Sequence, residues 1–294
     1  MDRPGLYHSP VNRARTEQLP ALKMNDILPI SSVSNPRVKD VIKLRKRSHR
    51  DSSGMILVEG YREVKRALEN GVNPKELFMC RDFFRGGNET ELVEQCRKRG
   101  ALVLECSERV FTKVAYRDRP EGLLAVAKRD EQRLSDFDPP SDCLFIVAQG
   151  IEKPGNLGTI IRSADSAGAN GMIVCDKCTD IRNPNVVRES IGTLFALTVA
   201  EASSSEAIDW LKKHSVRIIA ATPHAETLHT DCDFTGNTAI VLGAEQYGLT
   251  DIWIEQADSL ARIPMLGQSD SLNVASAATI LLYEAVRQRN ADGH

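Results

Sequence analysis

Three stretches in the C-terminal half of this 294-residue chain set polar groups where chemistry could be done. The first runs Gly150-Ile151-Glu152-Lys153-Pro154-Gly155-Asn156-Leu157-Gly158-Thr159-Ile160-Ile161-Arg162. It is a Gly/Pro loop followed by helical spacing, with an arginine on the second turn. Helix N-termini attract anions, so the loop could face a phosphate; a plain strand-to-helix turn accounts for the glycines as well. The Gly-Lys-Ser/Thr of a nucleotide phosphate loop is missing, and so are the glycine fingerprint and ribose-binding carboxylate of a dinucleotide oxidoreductase. In the second stretch an apolar strand, residues 239–242, leads straight into Gly243-Ala244-Glu245. Loops at the carboxyl ends of α/β strands are where ligands bind, and Gly243 permits close backbone approach. Glu245 reads either as a site carboxylate or as a solvated turn residue. The third stretch opens on a β-like segment, Ile263-Pro264-Met265. A polar loop follows, Gly267-Gln268-Ser269-Asp270-Ser271, and Leu272-Asn273-Val274 begins an Ala-rich helix. Such a loop at a helix mouth offers many backbone N–H and side-chain groups to a ligand.

Alternating strands and helices must hold these stretches in place. Strands are expected at residues 144–148, 171–175, 194–199, 216–220 and 239–242, and helices at 156–167, 205–214 and 272–289. Near-continuous apolar strands between helices predict a largely parallel sheet covered on both faces. Upstream, Ser34-Asn35-Pro36 signals a helix start, with Val38, Val41, Ile42 and Leu44 at near-helical spacing. Short strands at 55–58, 77–79, 102–104 and 123–127 alternate with helices at 61–70 and 89–99, a small α/β unit. Residues 1–24 are polar and interrupted by Pro4, Pro10 and Pro20, and 131–142 read as a linker around Pro139-Pro140. The expected organisation is therefore a disordered extension at 1–28, one domain at 29–130, a linker at 131–142 and a second domain at 143–294.

Net charge is −2, but it is unevenly spread. Residues 1–130 carry 26 Lys and Arg against 18 Asp and Glu, whereas 131–294 carry 12 against 22. A basic substrate-binding half and an acidic half with a different task are implied. Residues 1–20 do not form a signal peptide, and no apolar run reaches transmembrane length, so no membrane partner and a cytoplasmic location are expected. Seven cysteines, an odd number, then imply reduced thiols. Cys175-Asp176-Lys177-Cys178 lacks the second pair that a zinc ribbon needs, so no metal is expected.

In their order and strand contexts, Asn156…Arg162, Gly243-Ala244-Glu245 and Ile263-Pro264-Met265…Ser271-Leu272-Asn273 resemble the three motifs of the SpoU (TrmH) family of RNA ribose 2′-O-methyltransferases. The first half is similar to the family's ribosomal-protein-like substrate-binding module. Asn35-Pro36-Arg37-Val38-Lys39, Leu57-Val58-Glu59-Gly60 and Glu121-Gly122-Leu123-Leu124-Ala125 carry that likeness, with Pro120-Glu121-Gly122 where the family pattern has Pro-Gln-Gly. The likeness covers residues 30–290. It implies a SPOUT-type trefoil-knotted α/β catalytic domain behind a smaller α/β RNA-binding domain.

The resemblance also implies S-adenosylmethionine held by the backbone at Gly243, Ile263 and Leu272. Arg162 would stand at the reacting hydroxyl, as base or as phosphate clamp, assisted by Asn156, Glu245, Ser271 and Asn273. A guanidinium is normally always protonated, and it can grip phosphate through two hydrogen bonds. Arg188 falls near a family position that approaches substrate or cofactor, and reads equally as a surface residue. The implied partner is RNA, 23S ribosomal RNA foremost, with a homodimer and no DNA. A tRNA 2′-O-methyltransferase and a non-catalytic RNA-binding or ribosome-assembly factor are the alternatives. In the basic half, Arg37, Lys39, Lys43, Arg45, Lys46, Arg47 and Arg50 are candidates for salt-sensitive contact with RNA phosphates, or form a solvated helix face. Tyr61, Phe83, Phe84 and Tyr116 do not interleave as an RNA-stacking platform would.

Overall fold

The computed structural model describes residues 27–129, 131–176 and 179–291; the lead-in at 1–24 and Cys178 lie outside them. Residues 27–128 build a first, mixed sheet of five strands, in the order β1-β4-β3-β5-β2. Its strands are β1 (Ile27–Ile30), β2 (Met55–Glu59), β3 (Pro74–Met79), β4 (Leu102–Cys106) and β5 (Leu123–Lys128). Helices α1 (Pro36–Lys43), α2 (Arg47–Ser53), α3 (Tyr61–Glu69), α4 (Glu89–Lys98) and α5 (Glu108–Val114) connect them. Asn35 caps α1 by accepting from the Arg37 N–H, and Pro36 fills the first turn, as the sequence signal predicts. Ile27 and Leu28, expected in the extension, instead pair with Val103 and Leu104. Pro29 hid this strand, but β1 lies at the sheet edge, where a missing N–H is tolerated.

The second sheet has six strands, all parallel, in the order β11-β9-β10-β6-β7-β8. They are β6 (Leu144–Gln149), β7 (Gly171–Cys175), β8 (Val199–Ala202), β9 (Arg217–Ala221), β10 (Thr238–Leu242) and β11 (Ser259–Ala261). With them go α6 (Pro154–Ser166), α7 (Pro184–Glu189), α8 (Ser204–Lys213), α9 (Asp251–Gln256) and α10 (Val274–Ala291). Strands β6, β7 and β10 are buried at every position, as central strands covered on both faces must be. Three expectations are corrected. Residues 194–199 do not form a strand: Thr193–Phe195 is a 3-10 turn and β8 starts only at Val199. Ile263-Pro264-Met265 follows β11 rather than forming a strand, since Pro264 has no N–H to add to a ladder. The last helix begins at Val274, because Asn273 turns its side chain to accept the Ala275 N–H and so caps it.

After β11, at the outer edge of the sheet, the chain returns past β9 and β10 to lay α10 on α6 and β10. That return is consistent with the knotted class, a topology most folds avoid. The stretch expected as a linker packs onto the second sheet, with Gln132 bridging Ala200 and Phe137 buried against Phe145. α7 lies against β2, so the helix after β7 also touches the first sheet. Polar ties join the two units: Arg50 to Asp180, Arg182 to Asp51 and Asn185 to Tyr116.

Candidate functional site

β6 and β10 are neighbours, yet the chain leaves them in opposite directions across the sheet. Loops diverging from such a switch point open a crevice at the strands' carboxyl ends. The first two polar stretches meet there. Asn156, on the first turn of α6, donates from Nδ2 to Glu245 Oε1 at 2.6 Å, and the Glu152 N–H reaches Glu245 Oε2 at 3.3 Å. The third stretch joins them, with Asn273 Nδ2 donating to Asn156 Oδ1 at 3.1 Å. Three sequence-distant motifs thus form one chain of amides ending on a carboxylate. Burial opposes the charge on Glu245, but hydrogen bonds from Asn156 and the Glu152 N–H, with Lys153 nearby, outweigh it and hold the carboxyl below its usual range.

Helix packing sets this alignment. α6 buries Leu157, Ile160, Ile161 and Ala164, spaced as one face of a helix. α6 and α10 run side by side in the same direction, touching at Asn156–Asn273 and again at Ser163–Thr279, 2.7 Å between hydroxyls. The loop after β10 folds back on itself, Ala244 and Gly248 exchanging two backbone hydrogen bonds, and Gln149 at the end of β6 pins Thr250. A Cβ on Gly243 would stand 2.2 Å from the Gly248 carbonyl carbon. The close backbone approach expected at Gly243 is therefore made, at least in part, by its own chain.

Among the described residues, the backbone from Ile263 to Leu272 makes no hydrogen bond with other backbone groups. A row of free N–H and C=O groups beside a crevice suits the edge of a nucleobase or a similar heterocycle. Ile263 is half-buried and packs on the core, Leu272 is 38% exposed, and Ser271 is exposed. Among the described residues, Ser271 makes no side-chain hydrogen bond to Asn156, Glu245 or Asn273.

Arg162 stands apart from the amide chain. It is exposed and lies six residues beyond Asn156 on α6, a rise of about 9 Å. It lines a cleft of about 600 Å³ between the two sheets, with Arg188 of α7 on its own side and Tyr61, Arg62, Arg85 and Arg117 of the first unit opposite. Gly158 lets α7 sit this close, since a Cβ there would lie 2.8 Å from both Val186 O and Glu189 Cβ. Glu121, the departure from Pro-Gln-Gly, is held by Arg117 at 3.0 Å and Arg85 at 3.6 Å. Of the residues lining this cleft, the sequence pointed to Arg162 and Arg188 through the resemblance and to Glu121 through its motif, but not to Arg62, Arg85 or Arg117.

The basic segment needs correction. Arg50 is 2% exposed and bound to Asp180 and to the Leu44 and Arg45 carbonyls, so it cannot contact RNA. Arg45 caps the end of α5 through the carbonyls of Lys113, Val114 and Ala115. Arg37 pairs with Glu76, Lys43 with Asp40 and Arg47 with Asp51. Lys39 and Lys46 are exposed.

A family model described as "SpoU rRNA Methylase family" matches residues 143–283, and one described as "MRM3-like substrate binding domain" matches residues 35–125. The 23S rRNA (uridine(2479)-2'-O)-methyltransferase of Streptomyces viridochromogenes is 34% identical over 257 residues, covering 84% of this chain and 87% of that protein. A crystal structure of an RNA 2'-O ribose methyltransferase is 42% identical with a TM-score of 0.79, covering 89% of this chain and 99% of its own. An AdoMet-bound rRNA methyltransferase from Sinorhizobium meliloti is 32% identical with a TM-score of 0.82, over 89% and 98% of the two chains.

Proposed function

The chain belongs to the SpoU rRNA methylase family, and from that premise we propose that it methylates a ribose 2′-hydroxyl of 23S ribosomal RNA with S-adenosylmethionine. The observation that carries the reading is the Asn273–Asn156–Glu245 chain, which draws the three motifs into one crevice on the helix that bears Arg162. When bound, S-adenosylmethionine supplies an electrophilic methyl group on a sulfonium. The free backbone of 263–272 would hold its adenine at Ile263 and Leu272, beside Gly243. Glu245 is kept charged by Asn156, which suits it to accept a hydrogen bond or to steady a cationic ligand.

Methyl transfer of this kind needs in-line alignment of the hydroxyl, so positioning supplies much of the rate. Arg162 orients the ribose by gripping an adjacent phosphate, and Ser271 and Asn273 flank the reacting oxygen. Ser271 comes into range only if its exposed loop closes on bound ligand.

The same reading makes the protein a homodimer. Ile280 and Tyr283 on α10, and Tyr247 and Leu266 in the crevice loops, expose apolar surface that a second copy would cover. A monomer by sedimentation at micromolar concentration would reject this part alone. For the activity, 2′-O-methylation is mapped across ribosomal RNA with and without the gene. Loss of one methylated 23S nucleotide is expected; a change confined to tRNA would overturn the substrate assignment.

A further inference from the structure

The cleft between the two sheets has a charge arrangement that the amide chain does not explain. The acids that line it, Glu63, Glu89, Glu121 and Glu189, are all engaged. Glu63 is paired with Arg117, Glu121 with Arg117, and Glu89 accepts the N–H groups of Arg85 and Gly86. At its mouth Arg62, Arg85, Arg162 and Arg188 are all exposed, and Arg188 meets Glu189 only at 3.5 Å with the two side chains 49% and 41% exposed, a contact that a phosphate can displace. Arg85 touches Glu121 only at 3.6 Å and stays 60% exposed, a weak contact that a phosphate can displace. Two buried atoms of the floor, Glu89 Oε2 and Arg117 Nε, have no hydrogen-bond partner among the described residues. Glu89 itself is 6% exposed, and such a group normally finds a partner.

Size narrows the ligand. About 600 Å³ is the volume of a site for one small organic molecule or nucleotide, far too small for a helical duplex. Sequence-specific RNA readers commonly take unpaired nucleotides, whose bases can be splayed out of the stack. Meanwhile Arg45 and Arg50 of the basic segment are consumed by the fold.

We propose that an unpaired RNA segment lies in this cleft, with the phosphates flanking the nucleotide at Arg162 held by Arg62 and Arg85 on one wall and Arg188 on the other. The proposal rests on the RNA methyltransferase reading and names the grip on its substrate. Contact from both walls makes RNA binding depend on the first unit as well as the second.

The test uses the full chain and 23S ribosomal RNA, with R62Q and R85Q made singly and together. The double variant should raise KM for RNA by about tenfold, about 1.4 kcal/mol, with kcat within about twofold and S-adenosylmethionine affinity unchanged. Its salt slope for RNA binding should fall by about 0.7 for each residue, as for single-stranded contacts. E121Q, which releases Arg85, should lower KM. A complementary oligonucleotide over the target nucleotide should block methylation. An unchanged slope in R62Q/R85Q, or methylation within that duplex, overturns the proposal. Wild-type protein that methylates no RNA would instead overturn the functional reading beneath it.

Discussion

Arg50 and Asp180 meet 2.7 Å apart with side chains only 2% and 6% exposed, tying the first unit to the loop that leads into α7. The carboxylate also receives the Arg182 N–H at 2.8 Å. Removing one member of a buried pair leaves the other charge without compensation. Arg50→Met should therefore cost about 3–5 kcal/mol in urea unfolding. Adding Asp180→Asn to it should recover part of that loss in a double-mutant cycle. A loss below about 1 kcal/mol for Arg50→Met would show that the pair is solvent-screened, as surface pairs are.

Asn156 orients Glu245 and keeps it charged. The folded-state pKa of Glu245 is depressed, so its hydrogen bonds contribute above the ordinary carboxylate range and are lost as pH falls through the lower, folded value. Asn156→Ala should move the acid limb of the kcat/KM profile upward, toward the ordinary glutamate range. Glu245→Gln should remove that limb and lower kcat/KM by about tenfold or more. An acid limb that stays in place in Asn156→Ala would separate Glu245 from catalysis.

Gly158 and Glu189 hold α6 and α7 together at a distance no larger residue allows. The Cβ of Gly158→Ala would press on the Val186 carbonyl, which is backbone and cannot swing away. The cost should be about 1–3 kcal/mol of stability, because a packed contact is overfilled. Displacing α7 also moves Arg188 relative to Arg162, so KM for RNA should rise in the surviving protein. A variant as stable as the wild type, with unchanged KM, would show that the two helices separate freely.

The parallel sheet and the order of its motifs were legible because β6, β7 and β10 are apolar at nearly every position, and that pattern needs no tertiary context. The convergence of Asn156, Glu245 and Asn273 was legible only through resemblance, since residues 89 and 117 apart in sequence carry no periodic signal of contact. β1 was hidden by Pro29, whose effect depends on whether the strand lies at an edge. Arg50 shows the converse error. Among Lys43, Arg45, Lys46 and Arg47 it reads as one more solvated cation, and only the fold brings Asp180, 130 residues away, to bury it. Arg62, Arg85 and Arg117 of the cleft escaped notice for the same reason: they are scattered along the first unit and form no run with Arg162 and Arg188.

Glu59 offers a pH test of the first unit. Burial pushes its carboxyl up, although the N–H groups of Tyr116 and Arg117 and the nearby Arg117 charge pull the other way. Its Oε1 has no partner among the described residues. A raised folded-state pKa gives a contribution that is full below the ordinary carboxylate value and is lost as pH rises through the folded value. Glu59→Gln removes this titration. Its stability relative to wild type should therefore improve as pH rises from below the carboxylate range to neutrality, measured by denaturant midpoint across that range. A difference that is flat with pH, or that runs the other way, would mean that the backbone N–H bonds dominate.

Arg162 separates binding from chemistry most cleanly. It is exposed, so Arg162→Ala should fold and melt like the wild type. It lines the cleft, to which no residue of 263–272 contributes, so calorimetric S-adenosylmethionine affinity should be unchanged. Loss of a positioning group at the reacting hydroxyl should lower kcat by about 100-fold or more. Arg162→Lys distinguishes its two candidate roles. A phosphate clamp that needs two parallel hydrogen bonds is poorly replaced by an ammonium, so lysine should stay near the alanine level at every pH. A proton acceptor would instead return as the lysine loses its proton at high pH, giving a rising alkaline limb absent from Arg162→Ala. Near-normal methylation by Arg162→Ala would remove this residue from the reaction altogether.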